Sequence, residues 1–112
     1  MGLKKANHTI NGYTYPEAYA VFNGEIKKFG NVHEVYFNVH ASRELALTQP
    51  PLEVKKVRIE NWDRQSNLVA LAYAQGKEQR EIKRLNPALE EIETVIVNNT
   101  FTGWEDDIRY IY

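Results

Sequence analysis

The most constraining feature of the chain is a long stretch of apolar and polar alternation from Ala18 to His40, broken once by a turn at Gly30-Asn31. Ala18, Ala20, Phe22 and Ile26 share one parity, as do Val35, Phe37 and Val39 beyond the turn. A period of two over this length demands paired antiparallel strands. Gly24 interrupts the first arm and predicts a bulge. Phe22, Ile26, Val35, Phe37 and Val39 are therefore expected in the core.

Upstream, Asn11-Gly12 is a strong type I′ turn signal, and it joins a short strand at His8–Ile10 to one at Tyr13–Tyr15. Pro16 cannot donate to a ladder and marks an edge or a break. Residues 1–7 are polar and are expected to fray. Downstream, Pro50-Pro51 ends a connection, and Glu53–Trp62 reads as a third long strand. Val54 falls out of its alternation, so a bulge near Lys55-Lys56 is expected. Asp63 or Ser66 then caps a helix carrying Leu68, Leu71, Ala72 and Gln75 on one stripe, with Val69 and Tyr73 beside it, which either ends at Gly76 or runs on into Lys77–Lys83. Lys77–Arg84 is dense in alternating charge and reads as a solvated face, the whole of 77–93 reads as an insertion, and a short helical turn through Glu91 begins at Asn86-Pro87. Thr94–Val97 is β-branched throughout and predicts a strand.

These elements add up to an α+β fold: an antiparallel sheet of three to four strands, built on a long β-hairpin, with one main helix on its apolar face. At 112 residues the chain fits a single domain, 1–112. It contains no cysteine, which removes disulfides and thiolate metal sites. Its net charge of −1 implies no general basic face for nucleic acid. No apolar signal run opens the sequence and no stretch is long enough to span a bilayer, so synthesis in the cytoplasm and no membrane partner are expected.

Candidate chemistry is sparse. His33 and His40 lie seven residues apart on one strand and so face opposite ways, and nothing ties His8 to either. Glu105-Asp106-Asp107 lacks the spacing of a calcium loop and reads as a solvated turn or an acidic contact surface. No dinucleotide, P-loop or nucleophile-elbow motif is present, and Ser42 and Ser66 read as loop or capping residues. No catalytic residue, metal or cofactor is assigned. Lys55, Lys56 and Arg58 form a basic run; it fits edge-strand protection better than binding to nucleic acid. The tyrosines are more informative. Tyr19 and Tyr36, with Val21, fall on the outer face of the hairpin, which calls for cover by the N-terminal hairpin, the C-terminal tail or another subunit.

The run Ile10-Asn11-Gly12-Tyr13-Thr14-Tyr15-Pro16-Glu17-Ala18-Tyr19 and the ending Gly103-Trp104-Glu105-Asp106-Asp107-Ile108 resemble small structural proteins encoded in the virion modules of phages and prophages of Gram-positive bacteria. The order of features between them is similar too: a long hairpin, a Pro-rich bend (Pro50-Pro51-Leu52), a strand, and a helix rich in Ala and Tyr (Leu68 to Ala74). The charged stretch 77–93 stands outside the resemblance. Such a likeness implies a non-enzymatic part of the tail or of its assembly machinery, located in the virion, whose partners are other virion proteins or itself. The contact residues expected on this reading are Tyr13, Tyr15, Tyr19 and Tyr36, with Trp104, Glu105, Asp106 and Asp107 as a second patch. Two other readings follow from the residues: a small enzyme or ligand-binding domain with a pocket between helix and sheet near His40 and Tyr36, and a nucleic-acid-binding module through Lys55, Lys56 and Arg58.

Overall fold

A computed structural model describes residues 2–88 and 90–107. The chain runs β1 (Gly2–Ile10), β2 (Tyr13–Phe29), β3 (Val32–His40), a 3-10 turn (Leu45–Leu47), β4 (Glu53–Glu60), α1 (Leu68–Lys77), β5 (Arg80–Asn86), β6 (Glu91–Val97) and β7 (Glu105–Asp107). Five strands form one antiparallel sheet in the order β4-β3-β2-β1-β7, and β5 and β6 form a separate two-stranded sheet. The α+β class holds, with more strands than the sequence reading expects. The extra strands come from segments whose alternation is short or masked by charge.

The first difference is at the start of the chain. Residues 2–7, expected to fray, are the opening of β1, and Leu3 is fully buried. Two lysines hide this strand in the sequence, but Leu3 pairs with Ala20 and anchors it. β1 and β2 keep one register from Leu3↔Ala20 to Ile10↔Tyr13, missing only the pair of Asn7 with Pro16. Proline has no N–H to give, and Asn7 takes a left-handed φ of 52°. Beyond this kink the strands exchange faces together. Leu3 and Ile10, of opposite parity, thereby both reach the core.

The β2–β3 hairpin forms as the alternation predicts. The register shifts between Phe22 and Ile26, around Gly24 at φ 91°, which is the expected bulge. The bulge at Lys55-Lys56 does not form: β4 pairs with β3 without interruption from Val32↔Glu60 to Val39↔Glu53. Val54 instead points to the open face and is exposed, while Val57 and Ile59 are buried. Ile26 is also a correction. It is 43% exposed, because β1 ends before it can cover that part of β2.

The helix is capped by neither expected residue but by Asn67, one residue after Ser66 and four after Asp63. Asn67 Oδ1 accepts from the Ala70 N–H at 3.1 Å. Asp63 closes its own turn, accepting from the N–H groups of Gln65 and Ser66 and from the Ser66 hydroxyl. These donors, the Ser66 N–H first, hold the Asp63 carboxyl below its ordinary value. α1 runs through Gly76 to Lys77, so Gly76 is a helix residue and not a terminator. Its last carbonyls are claimed by the loop after β6. Phe101 N–H donates to Gly76 O at 2.7 Å, and the Asn99 side-chain amide donates to Gln75 O at 3.0 Å.

The core is a chain of edge-to-face aromatic rings. Phe37 lies 6.3 Å from Phe22, 5.0 Å from Tyr73 and 5.1 Å from Phe101, which in turn lies 5.3 Å from Trp104. Tyr73 also accepts the Phe22 N–H at 2.8 Å, which ties α1 to β2 where the bulge begins. The charged stretch is a pair of strands, β5 and β6, that make a hairpin arm, with Lys83 and Arg84 exposed as a solvated face requires; Asn86 ends β5, so no helix starts there. The radius of gyration is 16.0 Å, against about 13 Å for a compact chain of this length. Among the described residues no helix is long and apolar enough to cross a membrane.

Gly76 allows the helix to lie directly on β4. A Cβ there would sit 3.0 Å from Val57 Cγ2 and 3.2 Å from Phe101 Cδ2. Gly76→Ala gains about 1 kcal/mol of helix propensity, but overpacking costs about 1–3 kcal/mol. We expect a lower urea midpoint for the variant. A raised midpoint would show that Val57 and Phe101 yield.

Candidate functional site

The residues expected at the contact surface scatter. Tyr13 is 72% exposed beside the Asn11-Gly12 turn. Tyr15 is half-buried and packs against the core. Tyr36 is half-buried on the opposite face, where it donates to Glu34 at 3.2 Å and lies 5.1 Å beneath the Lys27 ammonium. Tyr19 is buried and cannot meet a partner protein. Its ring lies against Gly2, where a Cβ would collide with it. The four tyrosines thus make no common patch.

The second expected patch is also divided. Trp104 is buried, packed on Phe101 and on His8 at 5.0 Å. Glu105, Asp106 and Asp107 are strand β7, not a turn. Asp107 is buried opposite Gly2, while Glu105 and Asp106 are exposed, and Asp106 meets Lys77 Nζ at 2.7 Å. Ile108 and the aromatic tail after it lie outside the described residues.

The basic run on β4 makes no positive face. Lys56 pairs with Glu34 at 2.7 Å, Arg58 with Glu60 at 3.4 Å and Lys55 with Glu53 at 3.6 Å. Lys55 also pairs across the ladder with Phe37 and so points to the opposite side of the sheet from Lys56. The Lys56 hydrogen bond holds Glu34 below its ordinary carboxyl range, and the same bond raises Lys56.

The three histidines lie apart. His33 packs edge-on to Trp62 at 5.1 Å on the helix side of β3, and His40 pairs with Tyr19 on the other side. His8 has Nε2 3.8 Å from a Glu53 oxygen. Among the described residues no three of His, Asp or Glu come together as a metal-binding group. Beside His40 lies an apolar hollow of about 360 Å³, lined by Ala41, Leu45, Pro50, Pro51 and Leu52. It sits under the connection from β3 to β4, not between helix and sheet, and Tyr36 does not line it. The buried Nδ1 of His40 has no hydrogen-bond partner among the described residues. Among the described residues its lining adds one further polar side chain, Gln49, to His40, so the hollow is shaped to hold an apolar group.

The exposed apolar surface lies elsewhere. Leu85, Ile92 and Ile96 are 65%, 73% and 61% exposed on one face of the arm, with Leu85 directly opposite Ile92. Gln79, Asn98, Thr102 and Glu78 bond across the arm's base and fix it to the end of α1. On the other face Arg84 holds Glu93 at 2.8 Å. Sequence reasoning missed this surface because Asn86-Pro87 reads as a helix start. The available signal was Ile92, Thr94 and Ile96 at a period of two.

Comparison of the chain with protein-family models, with curated proteins and with solved structures gives no match.

Burial lowers the His40 pKa from 6.5, and burial, then Lys5 and Lys55, lowers that of His8 against the opposing pull of Glu53. Both side chains are thus neutral in the fold and take up protons more readily when it opens. Their support is complete above pH 6.5 and is lost as pH falls through the lowered folded values. The urea midpoint should fall between pH 7 and pH 5, and His40→Gln should flatten that fall. An unchanged slope in the variant would remove His40 from the account.

Proposed function

We propose that this protein is a non-enzymatic structural or assembly component that works through protein–protein contacts, in a phage or prophage virion and most directly in its tail module. The observation that carries the contact reading is the arm. A two-stranded sheet gains little from its own pairing in water. This one nevertheless presents Leu85, Ile92 and Ile96 to solvent from a base bonded to the helix end. Apolar side chains held out in this way are stabilised by a partner that covers them. The virion assignment is supported by the Tyr-Pro-x-Ala-Tyr run and the Trp-Glu-Asp-Asp-Ile ending.

The contact surface on this reading is the arm together with Tyr13, and not the buried Tyr19 and Trp104. The hollow beside His40 favours a second reading, a binding site for an apolar ligand, because an unpartnered imidazole nitrogen borders an apolar space. A nucleic-acid role has less support, since each cation of the β4 run already has a carboxylate beside it.

Burying a leucine or isoleucine contributes about 1.5–3 kcal/mol, and each 1.4 kcal/mol is about tenfold in affinity. In sedimentation of the chain alone and mixed with the products of its flanking genes, we expect a complex that Leu85→Glu with Ile92→Glu weakens more than about tenfold. The thermal midpoint should fall only slightly, because both side chains are already in water and the new cost is one pair of glutamates directly opposite on the arm. Absence of any complex, or a complex indifferent to these changes, would sink the proposed contact.

A further inference from the structure

The central hairpin is longer than the strand that flanks it. β1 pairs with β2 only over Tyr13–Ala20, whereas β3 follows β2 to Phe29. From Glu25 to Phe29 the outer edge of β2 has no strand partner among the described residues, and all of these residues are exposed. Ile26 and the 59% exposed Phe29 stand on it. Such an edge offers unpaired N–H and C=O groups to another strand. β6 is a strand with a matching need. Among the described residues it pairs with β5 alone, and it is seven residues long.

We propose that β6 of one copy docks antiparallel on the Glu25–Phe29 edge of a second copy, so that chains join head to tail. This rests on the reading that the protein works through protein contacts, and it names the partner as the chain itself. The match between the two strands favours self-docking. Placing Ile92 opposite Phe29 sets Glu93 opposite Lys28, Thr94 opposite Lys27 and Val95 opposite Ile26. Two apolar pairs thus flank the pair Glu93–Lys28, in which Lys28 meets a carboxylate that also holds Arg84, and Ile96 falls opposite Glu25. A slip of one residue in either direction sets a glutamate, Glu91 or Glu93, opposite Phe29. The parallel arrangement that best pairs the apolar residues sets Glu91 against Glu25. Lys28 is exposed and has no ion pair with a described residue, so its charge is free to meet the incoming strand. Donor and acceptor edges are different surfaces, so the contact is heterologous and propagates into a ring or a filament.

The absence of cysteine makes the test direct. Phe29→Cys protein is mixed with Ile92→Cys protein under mild oxidation, and the disulfide between them is followed on non-reducing gels. We expect it to form about tenfold faster than between Tyr13→Cys and Ile92→Cys, because only neighbouring cysteines satisfy disulfide geometry. A chain carrying both Phe29→Cys and Ile92→Cys should give a ladder of multimers. Phe29→Cys with Val95→Cys tests the parallel arrangement, and faster linkage there would overturn the antiparallel register. Linkage no faster than the Tyr13 control, in a chain that stays monomeric at its highest soluble concentration, would overturn self-docking. The broader contact reading would then still stand if a different protein bound the arm and lost affinity on Leu85→Glu with Ile92→Glu.

Discussion

Phe37 is the point through which the fold is held. It sits fully buried at the centre of β3, and its ring meets the edges or faces of Phe22, Tyr73 and Phe101. These three come from β2, from the helix and from the loop that returns from the arm. One side chain therefore joins the hairpin, the helix and the second sheet. The Tyr73 hydroxyl adds direction, since it takes the Phe22 N–H at the bulge and orients the helix along the strand. Burial also raises the Tyr73 pKa, so the hydroxyl stays protonated and neutral where it lies. Further along, Trp104 extends the same ring chain to His8 and so to β1.

That hub sits at one end of a hairpin that outgrows it. Packing of the helix and of β1 covers β2 as far as Phe22, and nothing of comparable size covers it beyond. The core thus ends while the ladder of β2 and β3 continues, which is why Ile26 alternates correctly and is still exposed. The arm has the same character. Its base is bonded to the helix C-terminus, where carbonyls lack partners in any helix, and its two strands then run out into solvent. Both extensions hold large apolar side chains in solvent, Ile26 and Phe29 on one and Leu85, Ile92 and Ile96 on the other. Surface of this kind suits the protein contacts proposed above.

The parts legible in the sequence were those governed by local periodicity. The β2–β3 hairpin, the Asn11-Gly12 turn, the bulge at Gly24 and the helix from Leu68 all follow from patterns within a few residues of one another. Fates set by distant contacts were not legible. Tyr19 has the parity of an outward residue but is buried, because Gly2 leaves room for its ring. Lys4 and Lys5 disguise β1, whose place comes from pairing on both sides with β2 and β7. Val54 breaks the alternation of β4 because it stands on the open face, and no bulge is needed. Asn86-Pro87 is compatible with a helix start or with the end of a strand, and the register of Leu85 with Ile92 decides for the strand. The acidic triplet seemed a solvated unit, yet pairing with Gly2–Lys4 separates Asp107 from its two neighbours.

An exposed edge bearing apolar residues is a liability unless its partners are limited. On the Glu25–Phe29 edge the limit is set by adjacent lysines. If two such edges paired antiparallel with each other, the registers centred on Lys27, on Lys28 or between them would set lysine against lysine, whereas the register centred on Ile26 sets Glu25 against Lys27. The like charges would oppose the symmetric dimer in the lysine-facing registers, which would otherwise block the edge with its own copy. A strand carrying a carboxylate between apolar residues meets no such penalty, and β6 has that pattern in Ile92-Glu93-Thr94-Val95. On the self-docking proposal, the two lysines disfavour the edge-to-edge registers that bring them together and accept the carboxylate of β6.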